Sequence, residues 1–122
     1  MKLQKAVAAV IFVLGLALSA YAADISGTWT ATFNSQVGEQ KYTYTFKVDG
    51  EKLTGHAKSN LGEGDLTDGV VKGDDVSFVE HLNYQGQELA ITYKGKISGD
   101  EISFKRDVAG TGGEEFVAKR VK

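Results

Sequence analysis

Apolar and polar residues alternate along this chain in short runs. Trp29, Ala31 and Phe33 share one parity, with Thr28, Thr30 and Thr32 on the other. Tyr42, Tyr44, Phe46 and Val48 oppose Lys41, Thr43, Thr45 and Lys47. Val76, Phe78 and Leu82 line up, as do Leu89, Ile91, Tyr93 and Ile97, then Ile102, Phe104 and Val108. A period of two marks a strand with one buried face. The pattern predicts eight strands, at 27–33, 40–48, 52–58, 66–72, 75–82, 88–97, 101–108 and 115–121. The third and fourth are short of large apolar residues, and no window has a helical period.

One turn is written three times: Val48-Asp49-Gly50-Glu51-Lys52-Leu53, Val71-Lys72-Gly73-Asp74-Asp75-Val76 and Ile97-Ser98-Gly99-Asp100-Glu101-Ile102. Gly supplies the positive φ that a tight reversal needs, so each copy reads as a hairpin. A longer repeat matches Gly69–Phe78 to Gly95–Phe104 at an offset of 26, by duplication or by convergence of similar hairpins. Successive hairpins make a meander, and eight strands satisfy their edges by closing. The expected fold is all-β, an eight-stranded antiparallel up-and-down barrel.

That order sorts the connections. The three tight turns share one end with both termini. The other end takes 34–39, 59–65, 83–87 and 109–114, which read as longer, looser loops rich in Asn, Gln, Ser and Gly. Barrel sites lie in mouths and on long loops, so this loose end is where a ligand is expected.

The first 22 residues read as an address. Lys2 and Lys5 precede an uncharged apolar run from Val7 to Leu18, and Ala20-Tyr21-Ala22 is a cleavage site. The run is short for a membrane span, which needs about 20 residues. Cleavage leaves residues 23–122, one domain destined for the periplasm or the exterior, with no stable membrane insertion. The chain has no Cys, which excludes disulfides and an N-terminal lipid. Its formal charge is −2, with the signs interspersed, which argues against a nucleic-acid partner.

Two charges fall on the interior parity: Glu80 after Val76 and Phe78, and Arg106 after Ile102 and Phe104. They are equivalent in the repeat and lie two strands apart, about 10 Å between Cα atoms at a strand spacing of ~4.8 Å. An internal ion pair is the first reading. The second is that both line a pocket and hydrogen-bond a polar ligand. Phe33, Tyr42 and Tyr44 should line the interior near the loose end, with Tyr84 on a mouth loop. Such rings beside Asn, Gln and Glu suit sugars. An eight-stranded barrel, however, is just wide enough to be filled by side chains or to hold one small ligand, and this many large residues favour a mostly filled interior.

Other chemistry is thin. Glu80 is the one acid placed inside, so the second carboxylate of a glycoside hydrolase is missing. Glu63, Asp65 and Asp68 match no calcium loop, and His56 and His81 lack metal-ligand spacing. No catalytic triad, metal or cofactor is expected.

Gly27-Thr28-Trp29 at the start of the first strand, with Arg120 near the end of the last, resembles the calycin superfamily of lipocalins and avidins. The resemblance implies that Trp29 packs under Arg120 and closes the tight-turn end. Phe46–Gly55 also looks avidin-like, without a biotin-contacting pattern. Nearly the whole chain after residue 22 is similar to a small secreted bacterial β-domain found alone or appended to glycoside hydrolases. The opening Gly-x-Trp, the Gly-Asp-x-apolar-Ser-Phe turns and the closing Glu115–Arg120 carry that likeness. The expected function is a non-enzymatic secreted binding module for a small polar or carbohydrate ligand. The alternatives are a filled structural or interaction barrel and, weaker, a small glycosidase using Glu80.

Overall fold

The computed structural model describes residues 23–108, 110 and 113–122; the cleaved leader read at residues 1–22 lies outside the described residues. Eight strands follow one another: β1 (Gly27–Ser35), β2 (Gly38–Asp49), β3 (Lys52–Ser59), β4 (Gly62–Lys72), β5 (Asp75–Tyr84), β6 (Gln87–Ser98), β7 (Glu101–Val108) and β8 (Gly113–Arg120). Each pairs antiparallel with the next, and β8 returns to β1, so the sheet is a closed up-and-down barrel. The closing seam is short, with Trp29 opposite Arg120 and Thr30 opposite Lys119.

The strands alternate because one face is sealed. In β2 the buried positions are Gln40, Tyr42, Tyr44 and Phe46, and in β7 they are Ile102, Phe104 and Arg106. Gly50, Gly73 and Gly99 adopt φ of +64°, +58° and +59° as the first residue of three two-residue turns. Gly at that position matches the right-handed strand twist without a Cβ clash. These turns and the chain segment before β1 form the floor.

The opposite end, the rim, differs from the expectation. The long loops expected at 34–39, 59–65 and 83–87 are two-residue turns, Gln36-Val37, Asn60-Leu61 and Gln85-Gly86. The strands run on through polar residues here because their outer positions face water and need no apolar side chain. The positive φ moves as well. It falls after the turn at Gly38 (+106°) and Gly62 (+154°), and on both turn residues at Gln85 (+53°) and Gly86 (+80°).

Aromatic rings fill the interior below the rim. Tyr42, Tyr44 and Phe46 stack along β2 with centroids 5.1 and 5.7 Å apart. Phe78 and Tyr93 stack across β5 and β6 at 4.5 Å. Small residues make the room. A Cβ on Gly95 would meet the Phe104 ring at 2.7 Å. β3 and β4, weak in the sequence, are present but irregular, with the register shifting between Thr67 and Val70 around Asp68 at φ +55°.

Candidate functional site

Glu80 on β5, Tyr93 on β6 and Arg106 on β7 are inward-facing neighbours. Tyr93 is the backbone partner of Arg106 and sits on the strand between the two charges, one inward position from Ile91, the partner of Glu80. Tyr93 donates its hydroxyl proton to Glu80 Oε1 at 2.6 Å, and Tyr42 donates to Oε2 at 2.8 Å. Arg106 Nη1 donates to both hydroxyls, at 3.1 Å to Tyr42 and 3.0 Å to Tyr93. Tyr93 has spent its one proton on Glu80, so Tyr44 is the donor in the 3.0 Å contact between their hydroxyls. Glu80 and Arg106 themselves lie 3.8 Å apart.

Each tyrosine hydroxyl hydrogen and each Nη1 hydrogen in this network has one acceptor when Glu80 is a carboxylate. Burial raises its pKa, while the bonds from Tyr93 and Tyr42 and the charge of Arg106 act against that rise. Burial, reinforced by Glu80, also pushes the Tyr42 hydroxyl up to about 12, and burial holds Tyr44 and Tyr93 well above the ordinary tyrosine value. Arg106 stays charged. Burial works to lower its pKa, but Tyr93, Tyr42 and Glu114 raise it further. Its guanidinium also sits 4.7 Å from the Phe33 ring centroid and 5.3 Å from that of Tyr42.

Above this network the barrel is open. A pocket of about 510 Å³ lies at the rim, with Arg106, Gln40 and Glu114 at its polar side and Leu82, Leu89, Ile91 and Val108 at its apolar side. Glu114 accepts from Arg106 Nε. Gln40 offers Oε1 to Arg106 Nη2 at 3.4 Å and donates to Ser35 at 2.6 Å. Of the ligand residues named from the sequence, Arg106 and the half-buried Tyr84 line this pocket. Glu80, Tyr42 and Phe33 surround Arg106 without lining the pocket, and Tyr44 is deeper still. The pairing of Glu80 with Arg106 takes the form of the internal ion pair, relayed by tyrosines.

Sequence reasoning missed Gln40, Tyr93 and Glu114 as members of this cluster. All three lie on the inward parity of their strands, in step with Tyr42, Ile91 and Phe116. Glu114 was hidden because 109–114 reads as a loop, whereas β8 begins at Gly113.

At the floor, Trp29 is fully buried and its Nε1 donates to the Ile25 carbonyl at 2.9 Å. Arg120 lies 4.6 Å over the Trp29 ring centroid and donates to the carbonyls of Ser26 and Asp24 and to the carboxylate of Asp100. Gly27, beside them, opens β1 at φ +128°. Among the described residues no group of three His, Cys, Asp or Glu side chains could hold a metal ion. No protein-family model, curated protein or solved structure matches the chain.

Proposed function

We propose that this protein is an exported, calycin-like, non-enzymatic binding module that takes a small ligand in its rim pocket. The observation that carries the reading is the pocket itself, about 510 Å³ of space above a floor of packed rings. Its lining favours an amphipathic molecule over a free sugar. Phe33, Tyr42 and Tyr44 are sealed in the interior, so among the described residues Tyr84 is the one ring of the pocket lining that a sugar could lie against. Apolar walls with a few convergent polar groups are the usual composition of a small-molecule site. The Trp29–Arg120 stack supports the calycin-like reading, and the leader pattern of residues 1–22 supports export.

Glu80 is fully buried beneath the tyrosines and out of reach of a substrate, which weighs against a glycosidase. The filled-barrel reading draws on the aromatic packing below Arg106, and the two readings separate in one experiment. The neutral fluorescent probe N-phenyl-1-naphthylamine should brighten on mixing with the full chain, and Leu89→Trp, which fills the pocket, should abolish the signal. No brightening with the unaltered protein would favour the filled barrel.

A further inference from the structure

The charged cluster beneath the rim pocket is unbalanced, which bears on the ligand if, as proposed above, the pocket is a binding site. Arg106 and Glu114 are its two charged lining residues among the described residues, and Ala109, Thr111 and Gly112 add no ionisable side chain. Arg106 is largely committed: Nε to Glu114, Nη1 to two tyrosines, Nη2 towards Gln40. Glu80 lies 3.8 Å behind it. Two carboxylates therefore share one guanidinium, and the cluster keeps a net negative charge. Of the two carboxylates, Glu114 is the one that lines the pocket. Its side chain is 20% exposed, and its second oxygen, Oε2, has no hydrogen-bond partner among the described residues.

The surrounding rim has the same sign. The two terminal residues of each strand at this end supply Glu39, Glu63, Glu88, Asp107 and Glu114 against one cation, Lys58. The described turn residues between them are uncharged. Apart from Glu114 these side chains lie on the outer face, where Glu63 and Glu88 meet His56 and His81, so they add a weak, salt-screened attraction for cations at this end.

We propose that the rim pocket selects a ligand carrying a protonated amine on an apolar body and disfavours the matching carboxylate. The ammonium meets Glu114 Oε2 and completes a group of two cations and two anions. The apolar body lies against Leu82, Leu89, Ile91 and Val108. A carboxylate in the same pose faces Glu114 at like charge and finds most donors of Arg106 already taken.

Calorimetric titration of the full chain with 2-phenylethylamine, 2-phenylethanol and 3-phenylpropionate tests this, because the three differ mainly in the polar end. The amine should bind about tenfold tighter than the alcohol, the scale of one hydrogen bond to a charged group, and the carboxylate should bind weakest. Glu114→Gln should remove the amine's advantage over the alcohol. A carboxylate or alcohol that binds as tightly as the amine overturns the amine preference and leaves the pocket standing. Failure of all three ligands and of the neutral probe overturns both. Should Glu114→Gln fold poorly, the comparison on the unaltered protein decides alone.

Discussion

Trp29 and Arg120 meet twice: they are backbone partners in the seam that closes the barrel, and the guanidinium lies 4.6 Å over the indole. A seam of two residue pairs leaves much of the closure to side chains. Phe33 and Phe116 add a ring stack, one on β1 and one on β8, with centroids 4.1 Å apart.

Arg120→Ala should therefore destabilise the fold by about 1–3 kcal/mol, combining a cation–π contact with hydrogen bonds to two carbonyls. Arg120→Lys should recover less than half, because an ammonium cannot stack and fork at once. Urea denaturation checks this; equal stability of the Ala variant and the unaltered protein would remove the floor from the account.

The buried network should resist single changes more than paired ones. Arg106→Met seals Glu80 without its cation, at about 3–5 kcal/mol, whereas Glu80→Leu takes the acceptor from Tyr42 and Tyr93 but leaves Arg106 paired with Glu114, at about 1–3 kcal/mol. The double variant should cost clearly less than the sum, since neither charge remains. Tyr93→Phe strips one proton donor from Glu80 and one acceptor from Arg106 and Tyr44, at about 1–3 kcal/mol. Strict additivity in the double variant would mean that Glu80 and Arg106 do not interact.

The strands, the floor turns and the inward positions of Glu80 and Arg106 were legible because each follows from a local rule. Alternation sets the faces, and Gly50, Gly73 and Gly99 set the turns. The rim was misread because Gly38 and Gly62 follow their turns instead of opening them. Polar strand ends such as Asn34-Ser35 and Glu63-Gly64 then looked like loop. The role of Tyr93 was within reach, since the offset of 26 sets Glu80 against Arg106 and leaves Tyr93 on the strand between them. The pocket was not, because it depends on how far the aromatic fill rises, which no local pattern encodes.

Gly64 should tolerate no side chain. A Cβ there would lie 1.6 Å from the His81 carbonyl oxygen, and that atom belongs to the backbone of β5 and cannot swing aside. Gly64→Ala must push β4 from β5, an overpacking cost of about 1–3 kcal/mol or more. Gly50, whose Cβ would meet nothing within 4 Å, has φ +64°, so Gly50→Asn should be the milder change. Thermal unfolding of the two variants side by side tests the order; a Gly64→Ala protein as stable as the parent would contradict the close approach of the strands.

His56 makes stability depend on pH. Its Nδ1 lies 3.0 Å from Asp65 Oδ1 and its Nε2 2.9 Å from Glu63 Oε1. Carboxylates only accept, so both contacts are hydrogen bonds only when the ring carries two protons. The bonds to Asp65 and Glu63 accordingly raise the His56 pKa above its ordinary 6.5. A folded value above the unfolded one means a contribution that is complete below about pH 6.5 and lost as pH climbs through the raised value. The ring is 42% exposed, so the effect should be about 1 kcal/mol or less and should shrink with added salt. His56→Gln should thus be less stable than the unaltered protein at pH 5.5, and the gap should close by pH 8.5. An NMR titration that puts His56 below 6.5, or a gap that widens with pH, would reverse the sign of this argument.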